Sequence, residues 1–154
     1  MKHKPKIIAV IGGAETTKKN LQIAEKVGKL IGQSGHILVT GGMGGVMEAA
    51  SRGAKTGRGL VIGILPSTDK RWANEFVDIP IVTGMNQARN IIIARTCDCA
   101  IAVDGKYGTL SEIAYCLMLG IPVIGINTWR IEAPIVHVAT AEEAVAKALE
   151  LVAE

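Results

Sequence analysis

Glu112 and Arg89 are the residues whose chemistry draws attention first, because each stands just beyond a glycine-bearing turn. One such turn is Val39-Thr40-Gly41-Gly42-Met43-Gly44-Gly45-Val46-Met47-Glu48. The other is Ala102-Val103-Asp104-Gly105-Lys106-Tyr107-Gly108-Thr109-Leu110-Ser111-Glu112. In both, an apolar run passes through glycines into a helical pattern. The first turn of a helix offers free amides and the positive end of its dipole, which together attract an anion. Without side chains, phosphate oxygens can reach those amides. Gly41, Gly42, Gly44 and Gly45 in the first turn, and Gly105, Gly108 and Thr109 in the second, are therefore candidate phosphate ligands. Thr109 could also cap its helix. Glu112 has two readings: the partner of Thr109 in a capping box, or a carboxylate one helical turn behind a phosphate pocket. Arg89 is a surface arginine or, since it too follows a strand end, a member of the same site.

The better-known nucleotide fingerprints do not fit. After the first apolar run stands Gly12-Gly13-Ala14-Glu15, where a dinucleotide fold would place G-x-G-x-x-G. The second run ends in Thr40-Gly41, with no acid to hold a ribose. Gly53-Ala54-Lys55-Thr56 resembles part of a Walker loop but falls late in a helical pattern.

The elements that would position these residues alternate along the chain. Strands are expected at Lys6–Ile11, Ile37–Thr40, Leu60–Leu65, Cys99–Val103, Pro122–Ile126 and Pro134–Val138, with an extended segment at Val77–Val82 leading to Gly84. Helices are expected at Thr17–Gln33, Gly45–Lys55, Asn86–Thr96, Gly108–Leu119 and Thr140–Glu154, with a loop or short helix over 67–76. Leu21, Ala24, Val27, Gly28 and Ile31 mark the apolar face of the first helix, and Gly35 is placed to end it. Thr140 and Glu143 have capping-box spacing. Strands this apolar are buried on both faces. The expected fold is α/β, a Rossmann-like three-layer sandwich with a mostly parallel sheet, in one domain over residues 1–154. Ligands of such sheets bind beyond the carboxyl ends of the strands. Nine of the 18 glycines fall just there (12, 13, 41, 42, 44, 45, 84, 105, 108), which suggests close approach of a ligand to backbone.

Composition narrows the function. The 154 residues carry a net charge of +3, much of it in the basic start Met1-Lys2-His3-Lys4-Pro5-Lys6. The near-neutral body argues against nucleic acid as the main partner. So do the five scattered aromatics, Trp72, Phe76, Tyr107, Tyr115 and Trp129. No apolar run approaches the ~20 residues of a membrane span, and a cytoplasmic location is expected. Cys97, Cys99 and Cys116 read as small buried residues rather than a disulfide framework or a metal site. No cofactor is called for.

The motifs together resemble the LOG superfamily, known for phosphoribohydrolases that release cytokinin bases from nucleoside 5′-monophosphates and long labelled lysine decarboxylase-like. The branch most resembled contains the molybdenum-cofactor carrier protein and bacterial relatives. It shares Gly41-Gly42-Met43-Gly44-Gly45-Val46-Met47-Glu48-Ala49, Ala88-Arg89-Asn90 and Gly108-Thr109-Leu110-Ser111-Glu112. The resemblance implies a catalytic pair, Arg89 and Glu112. It implies phosphate or nucleotide binding at Gly42, Gly45, Gly108 and Thr109, with Gly12 and Gly13 on the nucleoside side and Asn90 beside the arginine. It also implies a homodimer or homotetramer. This chain departs from the family at Asp104, where others have proline, and at Lys106, where they have glycine. Thr40 and Glu48 also replace family glycines.

Two functions are therefore expected in competition. One is a hydrolase that splits the N-glycosidic bond of a nucleoside 5′-monophosphate. Glu112 would stabilise the developing positive charge or position water, and Arg89 would assist departure of the base. The other is a carrier or sensor that holds a phosphorylated ligand, a pterin or a nucleotide, without chemistry.

Overall fold

The computed structural model describes residues 3–153. The first two residues of the basic start and the last residue of the expected closing helix lie outside them. Seven strands form one sheet: β1 (Ile7–Gly12), β2 (Ile37–Thr40), β3 (Val61–Leu65), β4 (Ile79–Val82), β5 (Cys99–Val103), β6 (Val123–Ile126) and β7 (Ile135–His137). Five helices connect or cover them: α1 (Lys18–Gln33), α2 (Val46–Thr56), α3 (Asn90–Thr96), α4 (Tyr107–Met118) and α5 (Ala141–Val152). Two 3₁₀ turns, Lys70–Trp72 and Asn86–Arg89, complete the chain.

The sheet order is β4-β3-β2-β1-β5-β6-β7, and every neighbouring pair is parallel. The chain builds outward from β1 to β4, then returns to place β5 against the other side of β1. The connections leaving β1 and β5 therefore diverge. The gap between them, above Gly12 and Val103, is the switch point where open α/β sheets take ligands. Gly12 and Val103 are themselves paired in register.

Each sheet face has its own core. Ile8, Val10, Leu38, Val61, Ile101 and Ile124 pack under α1, α2 and α5. Ala9, Ile11, Val39, Ile64, Ala100 and Ala102 pack under α3 and α4. Successive residues of β1 thus enter opposite cores, which is why its sequence is apolar throughout. The α1 stripe is laid out as its spacing predicts: Ala24, Val27, Gly28 and Ile31 are buried, Leu21 partly so, and Gly35 takes the left-handed conformation (φ 78°) beyond the helix end. Thr140 caps α5, its hydroxyl accepting from the Glu143 amide at 3.2 Å.

The expected single helix over Asn86–Thr96 is divided. Asn86 has φ 51°, and the Asn86–Arg89 turn is 3₁₀ before α3 begins at Asn90. Cys97, Cys99 and Cys116 are buried, as their setting suggests. Burial raises the Cys99 thiol to about 12. A hydrogen bond with Cys116 does most to raise Cys97. Neither Cys97 nor Cys99 is poised as a nucleophile. Among the described residues no helix is long and apolar enough to cross a membrane.

Candidate functional site

A cleft of about 330 Å³ opens at the switch point, lined by the loop after β1, the 3₁₀ turn before α3 and the start of α4. Of the residues singled out from sequence, Gly12, Gly13, Arg89, Asn90, Gly108, Thr109 and Glu112 line it. Gly41, Gly42, Gly44, Gly45 and Gly105 do not.

The start of α4 is the more open anion site. Its cap position is Lys106, which makes no side-chain cap bond, and the first backbone bond is from the Leu110 amide to the Lys106 carbonyl at 3.0 Å. The amides of the first turn are left for another acceptor. Thr109 is therefore inside the helix and not its cap, and the capping-box reading of Thr109 and Glu112 falls. Their spacing of three instead puts both side chains on the buried face of α4. Gly105, at φ 109°, packs directly beneath Thr109: a Cβ there would come within 2.3 Å of the threonine Oγ1.

The start of α2 is differently occupied. Its first amide, Val46, donates to the Gly13 carbonyl at 3.1 Å. Gly45, at φ 65°, lets the two glycine turns meet, since a Cβ on it would lie 2.3 Å from the Gly13 oxygen. The Gly41 carbonyl accepts from Arg89 Nη2 at 3.4 Å. Gly42 donates its amide to Thr40 Oγ1 at 2.9 Å and accepts from the Asn74 amide at 2.8 Å. These glycines shape the wall behind the cleft.

Arg89 and Glu112 are both buried, 9% and 8% exposed. Arg89 Nε donates to the Ile64 carbonyl at 2.8 Å, and Nη1 donates to Asn90 Oδ1. The surface-arginine reading is thus excluded. Burial lowers the Arg89 pKa from the usual arginine range, while Glu112 nearby opposes that shift. Burial raises the Glu112 carboxyl to about 8, with Arg89 pulling the other way. At neutral pH much of Glu112 is the neutral acid, although the two groups share one cleft.

The departures from the family pattern also have places. Asp104 accepts from the Thr16 hydroxyl and its carbonyl accepts from Thr128 Oγ1 at 2.7 Å. Its carboxylate is thereby tied to the loop after β1, and Asp104 is not part of the cleft lining. Lys106 is on the rim, 3.9 Å from Glu15, with both side chains largely exposed. Tyr107 and Trp129 meet with ring centroids 5.9 Å apart, and the Trp129 indole donates to the Lys106 carbonyl at 2.9 Å. Two aromatics that look scattered in sequence thus sit together beside the start of α4. Sequence reasoning did not pick out Glu15, Met47 and Gln87, which also line the cleft. Glu15 and Met47 fall inside glycine-bearing stretches already singled out, and Gln87 directly precedes Ala88-Arg89-Asn90.

The sequence matches the SLOG cluster4 family over residues 5–152. The chain belongs to that family. A relative from Archaeoglobus fulgidus, an uncharacterized protein, is 50% identical over 113 residues, covering 73% of this chain and 74% of its own. A cytokinin riboside 5′-monophosphate phosphoribohydrolase of Arabidopsis thaliana is 35% identical over 80 residues. That match covers 51% of this chain and 35% of the enzyme, so it spans only about a third of the enzyme's length. Among solved structures, the molybdenum cofactor binding protein from Rippkaea orientalis is 36% identical with a TM-score of 0.91, covering 99% of both chains. This SLOG cluster4 chain therefore shares its fold over nearly its whole length with a molybdenum cofactor binding protein, and part of its sequence with a cytokinin riboside 5′-monophosphate phosphoribohydrolase.

Proposed function

We propose that this chain is a phosphoribohydrolase that cleaves the N-glycosidic bond of a nucleoside 5′-monophosphate. Water enters and the free base and ribose 5-phosphate leave. The observation that carries this reading is the shared face of α4: open amides at its first turn, Thr109 beside them, and the Glu112 carboxyl on the same buried face opposite Arg89. A phosphate anchored at the amides would orient the ribose towards Glu112, so that binding energy remote from the bond serves the reaction. Glu112 would act as proton donor to the departing base nitrogen, since burial favours its neutral form. This role differs from the charge stabilisation or water positioning expected of Glu112 from the chemistry of glycosidic cleavage. The remaining N–H groups of Arg89 would face the sugar or the base as charge develops. Incubation with a panel of nucleoside 5′-monophosphates, with products separated by chromatography, tests the reading. Release of free base from at least one is expected.

A second reading has its own support. Arg89 already donates to three protein acceptors, and the end-to-end match is with a cofactor-binding protein. The same cleft would then hold a phosphorylated pterin or nucleotide intact, as a carrier or sensor does. The exposed apolar edge strand, with Ile79, Ile81 and Val82, suits the homodimer or homotetramer that family kinship implies under either reading.

A further inference from the structure

Asn90 is 2% exposed, and its amide is fully engaged. Its Oδ1 accepts from Arg89 Nη1. Its Nδ2 donates to Ser111 Oγ at 3.0 Å and to the Gly108 carbonyl at 3.4 Å. An asparagine has two N–H donors, and both are used within the protein. It lies against the cleft, yet it has little left to offer a ligand.

The position of these bonds gives them meaning. Arg89 is held by three acceptors: the Ile64 carbonyl, the Gly41 carbonyl and Asn90. Only Asn90 among them is a side chain, and only Asn90 also reaches α4, the helix that carries Glu112. Arg89 and Glu112 form no ion pair, although they line the same cleft. In a desolvated site two opposite charges gain strongly from closing together. Something must hold the guanidinium back, and the bond to Asn90 Oδ1 does so with a neutral acceptor. A carboxylate in its place would satisfy Arg89 but would turn an oxygen towards the Gly108 carbonyl, where a donor is needed.

We infer that Asn90 is a positioning residue that holds the Arg89 guanidinium apart from the Glu112 carboxyl and ties that separation to the first turn of α4. The inference rests on the proposed pairing of Arg89 and Glu112 at the site, and it changes the part assigned to Asn90 from ligand contact to support. The charged groups around Glu112 are few. Arg89 comes from the turn before α3, Glu15 from the loop after β1 and Lys106 from the start of α4. Glu15 and Lys106 are exposed, so Arg89 is the one buried with Glu112.

The test is the titration of Glu112 in the intact chain. Protein labelled with ¹³C at glutamate side chains is followed by NMR across pH, and Glu112→Gln assigns the signal. In Asn90→Ala the guanidinium is freed to pair with Glu112. The midpoint should then fall by about one unit or more, a tenfold loss of proton affinity. In Asn90→Asp the acceptor is retained and a negative charge is added, so the midpoint should hold or rise. An unchanged midpoint in folded Asn90→Ala, or a fall in Asn90→Asp, overturns the inference. Should Asn90→Ala fail to fold, Asn90→Ser replaces it, too short to span both partners, with the same two outcomes. The titration needs no substrate. Absence of base release by the unaltered chain would count against the hydrolase reading and leave the titration result standing.

Discussion

Arg89, from the 3₁₀ turn before α3, and Glu112, from the middle of α4, line one cleft, are buried together, and do not pair. The arginine is spent on carbonyls and on Asn90, and the carboxyl is left facing the cleft with its proton favoured by burial. An unpaired buried acid is costly when ionised, so its retention beside an open anion site suggests use.

That cost should appear in the pH dependence of stability. The folded Glu112 titrates at about 8, above its ordinary 4.5. Between these values the folded state holds a proton that the unfolded state has released. Stability from this group is therefore complete below about 4.5 and is lost as pH rises to about 8, at up to about 1.4 kcal/mol per unit. Melting temperatures of the intact chain should fall from pH 5 to 8 more steeply than those of Glu112→Gln, by several degrees. Parallel curves for the two proteins would show that Glu112 titrates normally.

If the neutral carboxyl is the proton donor, base release should decline as pH passes about 8. Initial rates at saturating substrate over pH 6 to 9.5 provide the check. A rate that climbs through this range would assign the working form to the carboxylate.

Gly45→Ala should be strongly destabilising. Its φ of 65° and the 2.3 Å approach to the Gly13 oxygen leave no room for a methyl group. A loss of roughly 2 kcal/mol or more is expected from left-handed strain and displacement of the adjoining turn. Urea unfolding would measure it, and a loss below about 0.5 kcal/mol would mean that the two turns can separate freely.

Thr109→Val keeps the shape that packs on Gly105 and removes only the hydroxyl. Stability should change by less than about 1 kcal/mol, while affinity for a phosphorylated ligand should weaken roughly tenfold, the worth of one hydrogen bond to a charged group. Calorimetric titration would report it. Unchanged affinity would move the phosphate away from the start of α4.

Much of the fold is legible because local pattern and burial agree. Ile37–Thr40 and Cys99–Val103 are expected and found with the same bounds, since their apolar runs are both short and flanked by turn residues. The site is legible in part. The spacing of threonine and glutamate is identical at Thr140/Glu143 and Thr109/Glu112, yet only the first is a cap. Thr140 itself is extended and precedes the first helical residue, whereas the helix around Thr109 begins two residues earlier, at Tyr107. Spacing does not reveal where a helix starts. Asp104 looks like a threat to phosphate binding until Thr16, 88 residues away in sequence, is seen to engage it. The glycines of the α2 turn read as ligand contacts because closeness to backbone and closeness to ligand leave the same mark in sequence. The Val46–Gly13 bond and the close approach of Gly45 to the Gly13 carbonyl show which backbone they approach.

Glycosidic cleavage in this cleft is best checked by incubating the chain and its Glu112→Gln variant with nucleoside 5′-monophosphates in ¹⁸O-labelled water. Free base, ribose 5-phosphate carrying one label, and loss of both products in the variant are expected. Saturable binding of a phosphorylated ligand that is recovered intact, with no base released from any nucleotide, would contradict it and leave a carrier in its place.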